Sequence, residues 1–108
     1  RLAGIDAPEI RGKTEEEKKY AAKARDALTD LIYGKNIYFH PPVKSDKYGR
    51  LLAYISFGPY PEDETINQWM LDERLAVPYD GKTKHVPESW EQYYLKSRLE
   101  QKEEEDYD

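Results

Sequence analysis

The amino-acid sequence predicts a single α+β domain, because segments with strand-like alternation and segments with helical periodicity both occur in one short chain. The chain has 108 residues, a length typical of one domain. Aromatic residues make up 13% of the sequence and include ten tyrosines, which argues against disorder even though 36% of the residues are charged. The predicted order of elements is strand end, helix, strand, strand, helix, helix.

The first predicted elements are a strand end and a long helix. Residues 1–5 are typical of the last part of a strand, and Pro8 interrupts the pattern because it lacks a backbone N–H group. Residues 15–33 are predicted to be helical because their apolar side chains recur on one face. Thr14 is a suitable N-cap, and the glutamates that follow it favour the positive end of the helix dipole.

Two strands are predicted in the middle of the chain. Residues 36–40 alternate, with Ile37 and Phe39 on one side, as in a half-buried strand that Pro41-Pro42 is expected to end. A polar loop is predicted over residues 43–50. Residues 51–57 are rich in apolar and aromatic side chains and are expected to form a central strand.

The last third of the chain predicts two more helices. One is expected near residues 64–73, and the other begins near Pro87, which suits the first turn of a helix. A short extended piece from Leu75 to Val77 separates them. Because two full strands do not form an independent sheet, we expect at least two or three further strands upstream of Arg1.

The net charge of −5 lies in the last nine residues. Residues 100–108 contain six acidic residues and one lysine, whereas residues 1–99 contain 16 acidic and 16 basic residues. We therefore expect an acidic, frayed tail after a neutral body that does not argue against a nucleic-acid partner. The absence of cysteine excludes disulfides and thiol nucleophiles, and no apolar run is long enough to span a membrane.

The first candidate site lies where the initial strand ends. Asp6 and Glu9 are two carboxylates three residues apart, and Arg1 precedes them on the strand. The carboxylates suit a hard cation, with the carbonyl of Ala7 between them, or one of them suits a general base. A surface loop with solvated acidic residues is the plainer alternative.

The second candidate site is the run Asp46-Lys47-Tyr48-Gly49-Arg50 just before the central strand. Arginine presents a planar fork that matches phosphate oxygens, and lysine presents a point charge. An aromatic ring between them suits stacking on a base or a hydrogen bond to phosphate. The alternative is a simple turn in which Arg50 pairs with a nearby acidic residue.

Together the two segments, RLAGIDAPE and DKYGRLLAYI, resemble the staphylococcal nuclease (thermonuclease) family. The resemblance covers residues 1 to about 84 and includes Gly34-Lys35, Ile66-Asn67 and Leu75-Ala76 in the expected order. It implies a mainly β, five-stranded OB-fold barrel with three helices, whose first strands lie upstream of Arg1. On this basis residues 1–99 are an N-terminally incomplete nuclease-like domain and residues 100–108 are its tail.

The resemblance also implies calcium-dependent hydrolysis of DNA and RNA that leaves 3′-phosphates. Glu9 matches the general base, and Arg1 and Arg50 match a pair of arginines that clamp the phosphate. Asp6 and the carbonyl of Ala7 match ligands of Ca²⁺. The family has one more aspartate ligand on a strand upstream of Arg1, so the predicted activity is conditional on that residue.

Substrate contacts follow from the same resemblance. Lys47 and Tyr48 match positions that hold a neighbouring phosphate, and Tyr79 matches a tyrosine of the base pocket. DNA and RNA are thus the expected partners, and we expect a monomer. The alternative is a non-catalytic module of this fold that serves as a scaffold or binds nucleic acid within a larger assembly.

Overall fold

The structure, a computed structural model, describes residues 1–83, 85–96 and 98. Its elements are β1 (Ile5–Asp6), α1 (Glu15–Ile32), β2 (Tyr38–Ser45), β3 (Leu51–Ser56), α2 (Ile66–Asp72), β4 (Val77–Pro78) and α3 (90–96). Antiparallel pairing joins β1 to β4 and β2 to β3. The α+β class and the three helices are confirmed; the described residues form two small sheets and no closed barrel. The predicted tail, 100–108, lies outside the described residues.

Helix α1 has nearly the predicted bounds. Thr14 caps it, with Oγ1 accepting a hydrogen bond from the Glu17 amide at 3.0 Å. Three glutamates occupy its first turn, where they complement the helix dipole. Tyr20, Ala21 and Ala24 are buried, so the apolar face identified from the sequence is the one that packs.

The prediction for β2 is wrong in two respects. The strand does not end at Pro41-Pro42 but continues to Ser45, so the following loop is shorter than predicted. The prolines lie within a register shift between His40 and Lys44, where the missing N–H groups interrupt no regular ladder. The strand is also not half-buried over residues 36–40, since Phe39 is 66% exposed.

Strand β3 separates the core from the opposite face of the molecule. Ala53 and Ile55 are buried and pack with Ile66 of α2 and with apolar residues of α1. Because side chains alternate along a strand, Leu52 and Tyr54 point to the other face. The predicted strand is confirmed over Leu51–Ser56 in a two-stranded sheet with β2, and its outer face lines a cleft.

Helices α1, α2 and α3 enclose the rest of the core. Met70, Leu75 and Ala76 are buried against Ala24, while Trp90 of α3 packs with the Tyr20 and Val77 side chains. The predicted packing role of Trp90 is therefore confirmed. No helix in the described part of the chain is both long enough and apolar enough to cross a membrane.

Candidate functional site

A cleft with a volume of about 630 Å³ lies on the outer face of β3. Its lining comes from three segments, residues 1–9, 46–54 and 79–81. That volume falls within the range of roughly 300–1,000 Å³ that is typical of small-ligand sites. The two segments singled out in the sequence thus meet in one cavity, although about forty residues separate them along the chain.

Backbone pairing with β3 brings Arg1 to the cleft. Leu2 forms a parallel bridge with Ala53, the Ala3 amide donates to the Ala53 carbonyl at 2.9 Å, and the Ala53 amide donates to the Arg1 carbonyl at 3.1 Å. Residues 1–3 therefore run beside β3. They pair with Ala53, which follows Arg50 by three positions in the sequence. The side chain of Arg1 is 42% exposed and reaches the cleft.

The buried Asn67 of α2 holds this pairing together. Its Nδ2 group donates to the carbonyls of Ala3 and Ala53 at 2.8 and 3.0 Å, and its Oδ1 accepts from the Ile55 amide at 3.1 Å. The side chain is 2% exposed, and it provides hydrogen-bond partners for backbone groups of both segments. Asn67 therefore helps to position the segment of residues 1–3, which carries Arg1.

Asp6 forms the inner wall of the cleft. It lies in β1 opposite Val77 of β4 and is 6% exposed. Nη2 of Arg1 lies 3.9 Å from Oδ1 of Asp6, which places a guanidinium beside a nearly buried carboxylate. At this distance the two groups form an ion pair at the edge of the cleft rather than a hydrogen bond.

Glu9 occupies the loop that follows β1. Pro8 is buried and anchors this loop, while Glu9 is exposed and lines the cleft. The Glu9 backbone is held by its amide, which donates to Oε2 of Glu17 at 3.3 Å, and by its carbonyl, which accepts from the Gly12 amide at 2.9 Å. Ala7 packs against the core cluster and is absent from the cleft lining.

The loop between β2 and β3 is organised by Asp46. Oδ1 accepts from the amides of Tyr48 and Arg50 at 2.8 and 2.9 Å, and Oδ2 accepts from Nε of Arg50 at 2.8 Å. Desolvation of the carboxyl acts to raise its pKa, but the hydrogen bonds from Arg50 and Tyr48 outweigh it, so the pKa of Asp46 is lowered. Gly49 has φ +79°, the left-handed conformation that this turn requires.

Cations flank the exposed Tyr48 ring in this loop. Nζ of Lys47 lies 5.3 Å from the ring centroid, and Cζ of Arg50 lies 5.1 Å from it. Both distances suit a cation–π interaction. The loop therefore presents two positive charges and an aromatic surface to the cleft.

The third segment follows β4. The Tyr79 amide donates to the Gly4 carbonyl at 2.9 Å, which fixes Tyr79 beside β1. Oδ1 of Asp80 accepts from the amides of Lys82 and Thr83 at 2.8 and 3.0 Å. These two hydrogen bonds, from Thr83 first and Lys82 second, lower the pKa of Asp80.

Comparison with known proteins identifies the family of this chain. The chain matches the family described as staphylococcal nuclease homologue over residues 1–105. The chain belongs to this family. The predicted resemblance is thereby confirmed.

The relatives carry names that refer to nucleases. A Schizosaccharomyces pombe protein named a probable endonuclease is 38% identical over 84 residues, covering 75% of this chain and 36% of that protein. Probable endonuclease LCL3 of Candida glabrata is 37% identical over 83 residues, covering 77% and 32%, respectively. The Phaeosphaeria nodorum protein of the same name is 32% identical over 85 residues, covering 77% and 28%. This chain spans about a third of the length of these relatives.

The cleft contains all but one of the residues that were predicted for the site in this staphylococcal nuclease homologue. The exception is Ala7, and the seven that line the cleft are Arg1, Asp6, Glu9, Lys47, Tyr48, Arg50 and Tyr79. Their roles stay predictions. In residues 1–83, 85–96 and 98, no group of three or more acidic or histidine side chains forms a metal cluster.

Sequence reasoning missed three residues of this region. Asp46 and Asn67 are named above only as members of motifs, with no role of their own, and Asp80 is not singled out. The signal for Asp46 and Asp80 is an aspartate followed within three residues by a glycine, which is typical of a side-chain-capped turn. The contacts of Asn67 span 64 residues to Ala3, so no local pattern could reveal them.

Proposed function

We propose that this chain forms the catalytic part of a nuclease that hydrolyses phosphodiester bonds of DNA and RNA and leaves 3′-phosphates. The observation that carries the proposal is the meeting of Arg1, Asp6, Glu9 and Arg50 in one cleft. Membership of the nuclease homologue family and the names of the relatives, probable endonucleases, support it.

Arg1 and Arg50 hold the scissile phosphate in this proposal. Their side chains are 42% and 47% exposed, and each has a carboxylate partner, Asp6 at 3.9 Å for Arg1 and Asp46 at 2.8 Å for Arg50. The Asp46 contact engages Nε of Arg50, and no described residue pairs with its two Nη groups. Those groups supply donors for the phosphate oxygens, on which negative charge grows in the transition state.

Glu9 orients the attacking water and removes its proton. A new bond forms between the water oxygen and phosphorus while the bond from phosphorus to the 5′ oxygen breaks. The proton passes to the Glu9 carboxylate. The departing 5′ oxygen is stabilised by Arg50 and takes a proton from solvent, so the products are a 3′-phosphate and a 5′-hydroxyl.

Asp6 and the carbonyl of Ala7 are the groups that we propose to hold Ca²⁺. The chemistry of these donors fits, because Ca²⁺ prefers oxygen ligands, and the Asp6 carboxylate forms part of the cleft wall. Ca²⁺ takes roughly six to eight oxygen ligands, and the described residues supply fewer than that. Phosphate, water or residues elsewhere would complete the coordination shell. When bound, the ion supplies positive charge to the phosphate oxygens.

Lys47 and Tyr48 contact a neighbouring phosphate, and Tyr79 contacts a base. The position of Lys47 and Tyr48 on the exposed loop beside Arg50 supports the first role. Tyr79 belongs to the third segment of the cleft lining, residues 79–81. Its side chain is partly buried, which suits stacking on a base. A substrate strand would thus contact both loops.

We also propose that the two small sheets belong to a five-stranded OB-type barrel within a domain that extends to residue 99. The exposed apolar side chains of the β2–β3 hairpin support this arrangement, since Phe39 and Leu51 are 66% and 64% exposed. Further strands of the barrel would cover such side chains.

Replacement of Glu9 by glutamine tests the proposed function. Glu9→Gln in the full-length protein is expected to lower the cleavage rate of DNA and RNA by roughly 10²–10⁴-fold, because it removes the base but keeps the shape of the side chain. Initial rates on a fluorescent oligonucleotide measure the effect. Circular dichroism verifies that the fold is retained.

Glu62→Gln provides the matched control, because Glu62 is an exposed loop glutamate outside the cleft. This variant should cleave like the wild type. In a separate test, a chelator should stop cleavage by the wild type, and added Ca²⁺ should restore it. Undiminished cleavage by Glu9→Gln would contradict the role of Glu9. A full-length wild type that cleaves neither DNA nor RNA would favour the non-catalytic scaffold instead.

A further inference from the structure

Asp80 lines the cleft but has no part in the chemistry proposed above. It follows Tyr79 directly, and Gly81 then turns the chain with φ +87°. The segment is fixed at one end by the Tyr79 amide, which donates to Gly4, and by the β1–β4 pairing just before it. Asp80 is thus an exposed carboxylate on an anchored loop in a cleft whose other loop is positively charged.

The two carboxylate oxygens of Asp80 differ in their surroundings. Oδ1 accepts from the Lys82 and Thr83 amides at 2.8 and 3.0 Å, which fixes the plane of the carboxylate. No hydrogen bond to Oδ2 comes from the described part of the chain. Since the same two amides lower the pKa of Asp80, the group is ionised near neutral pH and presents Oδ2 as an acceptor.

An ionised carboxylate at this position cannot bind a phosphate, which it repels. It accepts hydrogen bonds, and the donors on a nucleotide are the amino and imino groups of the base and the hydroxyl groups of the sugar. Tyr79 offers a ring surface immediately before Asp80. A base stacked on the Tyr79 ring would place its hydrogen-bonding edge beside residues 79–81.

We propose that Asp80 is a base-reading residue, whose Oδ2 accepts a hydrogen bond from the exocyclic amino group of the base next to the cleaved phosphate. This inference rests on the proposed nuclease function and deepens it by naming a preference. Adenine and cytosine carry their amino groups, N6 and N4, at the position where thymine and guanine carry the carbonyl oxygens O4 and O6, and a carboxylate repels an oxygen placed there. The cleft should therefore favour adenine and cytosine nucleotides over thymidine nucleotides.

Nucleotide binding tests the proposal without reliance on cleavage. Full-length protein is titrated calorimetrically with dAMP, dCMP, dGMP and dTMP, and dAMP and dCMP are expected to bind about tenfold more tightly than dTMP, the effect of one hydrogen bond to a charged acceptor. Asp80→Asn keeps an oxygen for the Lys82 and Thr83 amides but presents an amino donor in place of Oδ2. That variant should favour dTMP, whose O4 is an acceptor.

Asp63→Asn is the matched control. Asp63 also accepts a hydrogen bond from a loop amide, that of Tyr60 at 2.9 Å, but it lies outside the cleft. Its substitution should leave the order of affinities as in the wild type. Asp80→Ala, which has neither acceptor nor donor, should bind the four nucleotides with similar affinity.

Equal affinity of the wild type for all four nucleotides, no measurable binding, or an unchanged order in Asp80→Asn would each overturn the base-reading role. Cleavage of mixed-sequence DNA by the same preparations judges the nuclease function separately. Cleavage without base preference leaves the nuclease standing and removes the role of Asp80. A base preference in binding without any cleavage retains the role of Asp80 and removes the nuclease.

Discussion

Two loops of the cleft are built on the same device, an aspartate that accepts hydrogen bonds from amides two to four residues ahead, yet the second oxygen of each carboxylate has different surroundings. In residues 46–50 the cap is Asp46, and in residues 79–83 it is Asp80. Both loops contain a glycine with positive φ, Gly49 and Gly81. The two loops therefore share this backbone conformation, and they differ in the contacts of their side chains.

The difference is the use of the second carboxylate oxygen. Oδ2 of Asp46 accepts from Nε of Arg50, and its loop presents the remaining guanidinium and Lys47 to the cleft. Asp80 accepts only amide hydrogen bonds from the described residues, and the Lys82 side chain of the same loop forms no ion pair with it, so Oδ2 stays an acceptor. Under the two proposals above, the same capped turn serves phosphate binding where a cation pairs with the cap and base reading where none does.

The sharpest test of this comparison is the removal of each cap. Asp46→Ala in the full-length protein is expected to lower the DNA cleavage rate by about 10²-fold, because Arg50 loses the partner that orients it. Asp80→Ala should change total cleavage of mixed-sequence DNA by no more than a few-fold. Single-turnover rates at saturating protein measure both effects.

Asp46→Asn serves as the intermediate variant. It keeps an oxygen for the Tyr48 and Arg50 amides but lacks the charge that pairs with the guanidinium. Its rate should fall between the rates of the wild type and Asp46→Ala. Equal losses in Asp46→Ala and Asp80→Ala would show that the two loops do not divide the work in this way.

The next largest effect concerns the glycines of the two loops. Gly49→Ala and Gly81→Ala are each expected to lower the free energy of unfolding by about 1–2 kcal/mol, because alanine disfavours the left-handed conformation. A Cβ atom at either position meets no atom within 4 Å, so steric clash does not contribute. Urea denaturation of the full-length protein measures the change.

Gly34→Ala is the control for this pair, since Gly34 has φ +73°, equally open space for a Cβ atom, and a position at the end of α1 outside the cleft. It should lose similar stability without any loss of cleavage. Gly49→Ala should also slow cleavage, because it displaces Arg50. Equal activity in the Gly34 and Gly49 variants would indicate that the 46–50 loop tolerates distortion.

Local patterns in the sequence predicted the parts of the fold that local forces determine. The bounds of α1 followed from periodicity and the Thr14 cap, and the structure has both. The cleft followed from motif resemblance, which placed two distant segments together. Propensity failed at Pro41-Pro42, because the register shift that accommodates the prolines depends on the partner strand β3.

Long-range contacts account for what could not be predicted. Asn67 looks like an ordinary helical residue until its amide is seen to join the Ala3 and Ala53 carbonyls. Asp80 looks like a solvated loop residue until its position beside Tyr79 in the cleft is known. In both cases the chemical group is evident from the sequence, but the groups around it are known only from the tertiary structure.

The smallest expected effect is the pH dependence that the two caps confer on stability. Asp46 and Asp80 both have a lowered pKa in the folded protein, so each ionised carboxylate stabilises the fold. That stabilisation is complete above the ordinary aspartate value of about 3.9 and is lost as the pH falls from there through the lower folded values. Urea unfolding of the full-length protein between pH 7 and pH 3 should show this loss. Asp46→Asn and Asp80→Asn should each reduce it, and profiles parallel to the wild type would contradict the stabilising role of the ionised caps. Added salt should weaken the pH dependence from Asp46 more than that from Asp80, since the ion pair with Arg50 is screened while amide hydrogen bonds are not.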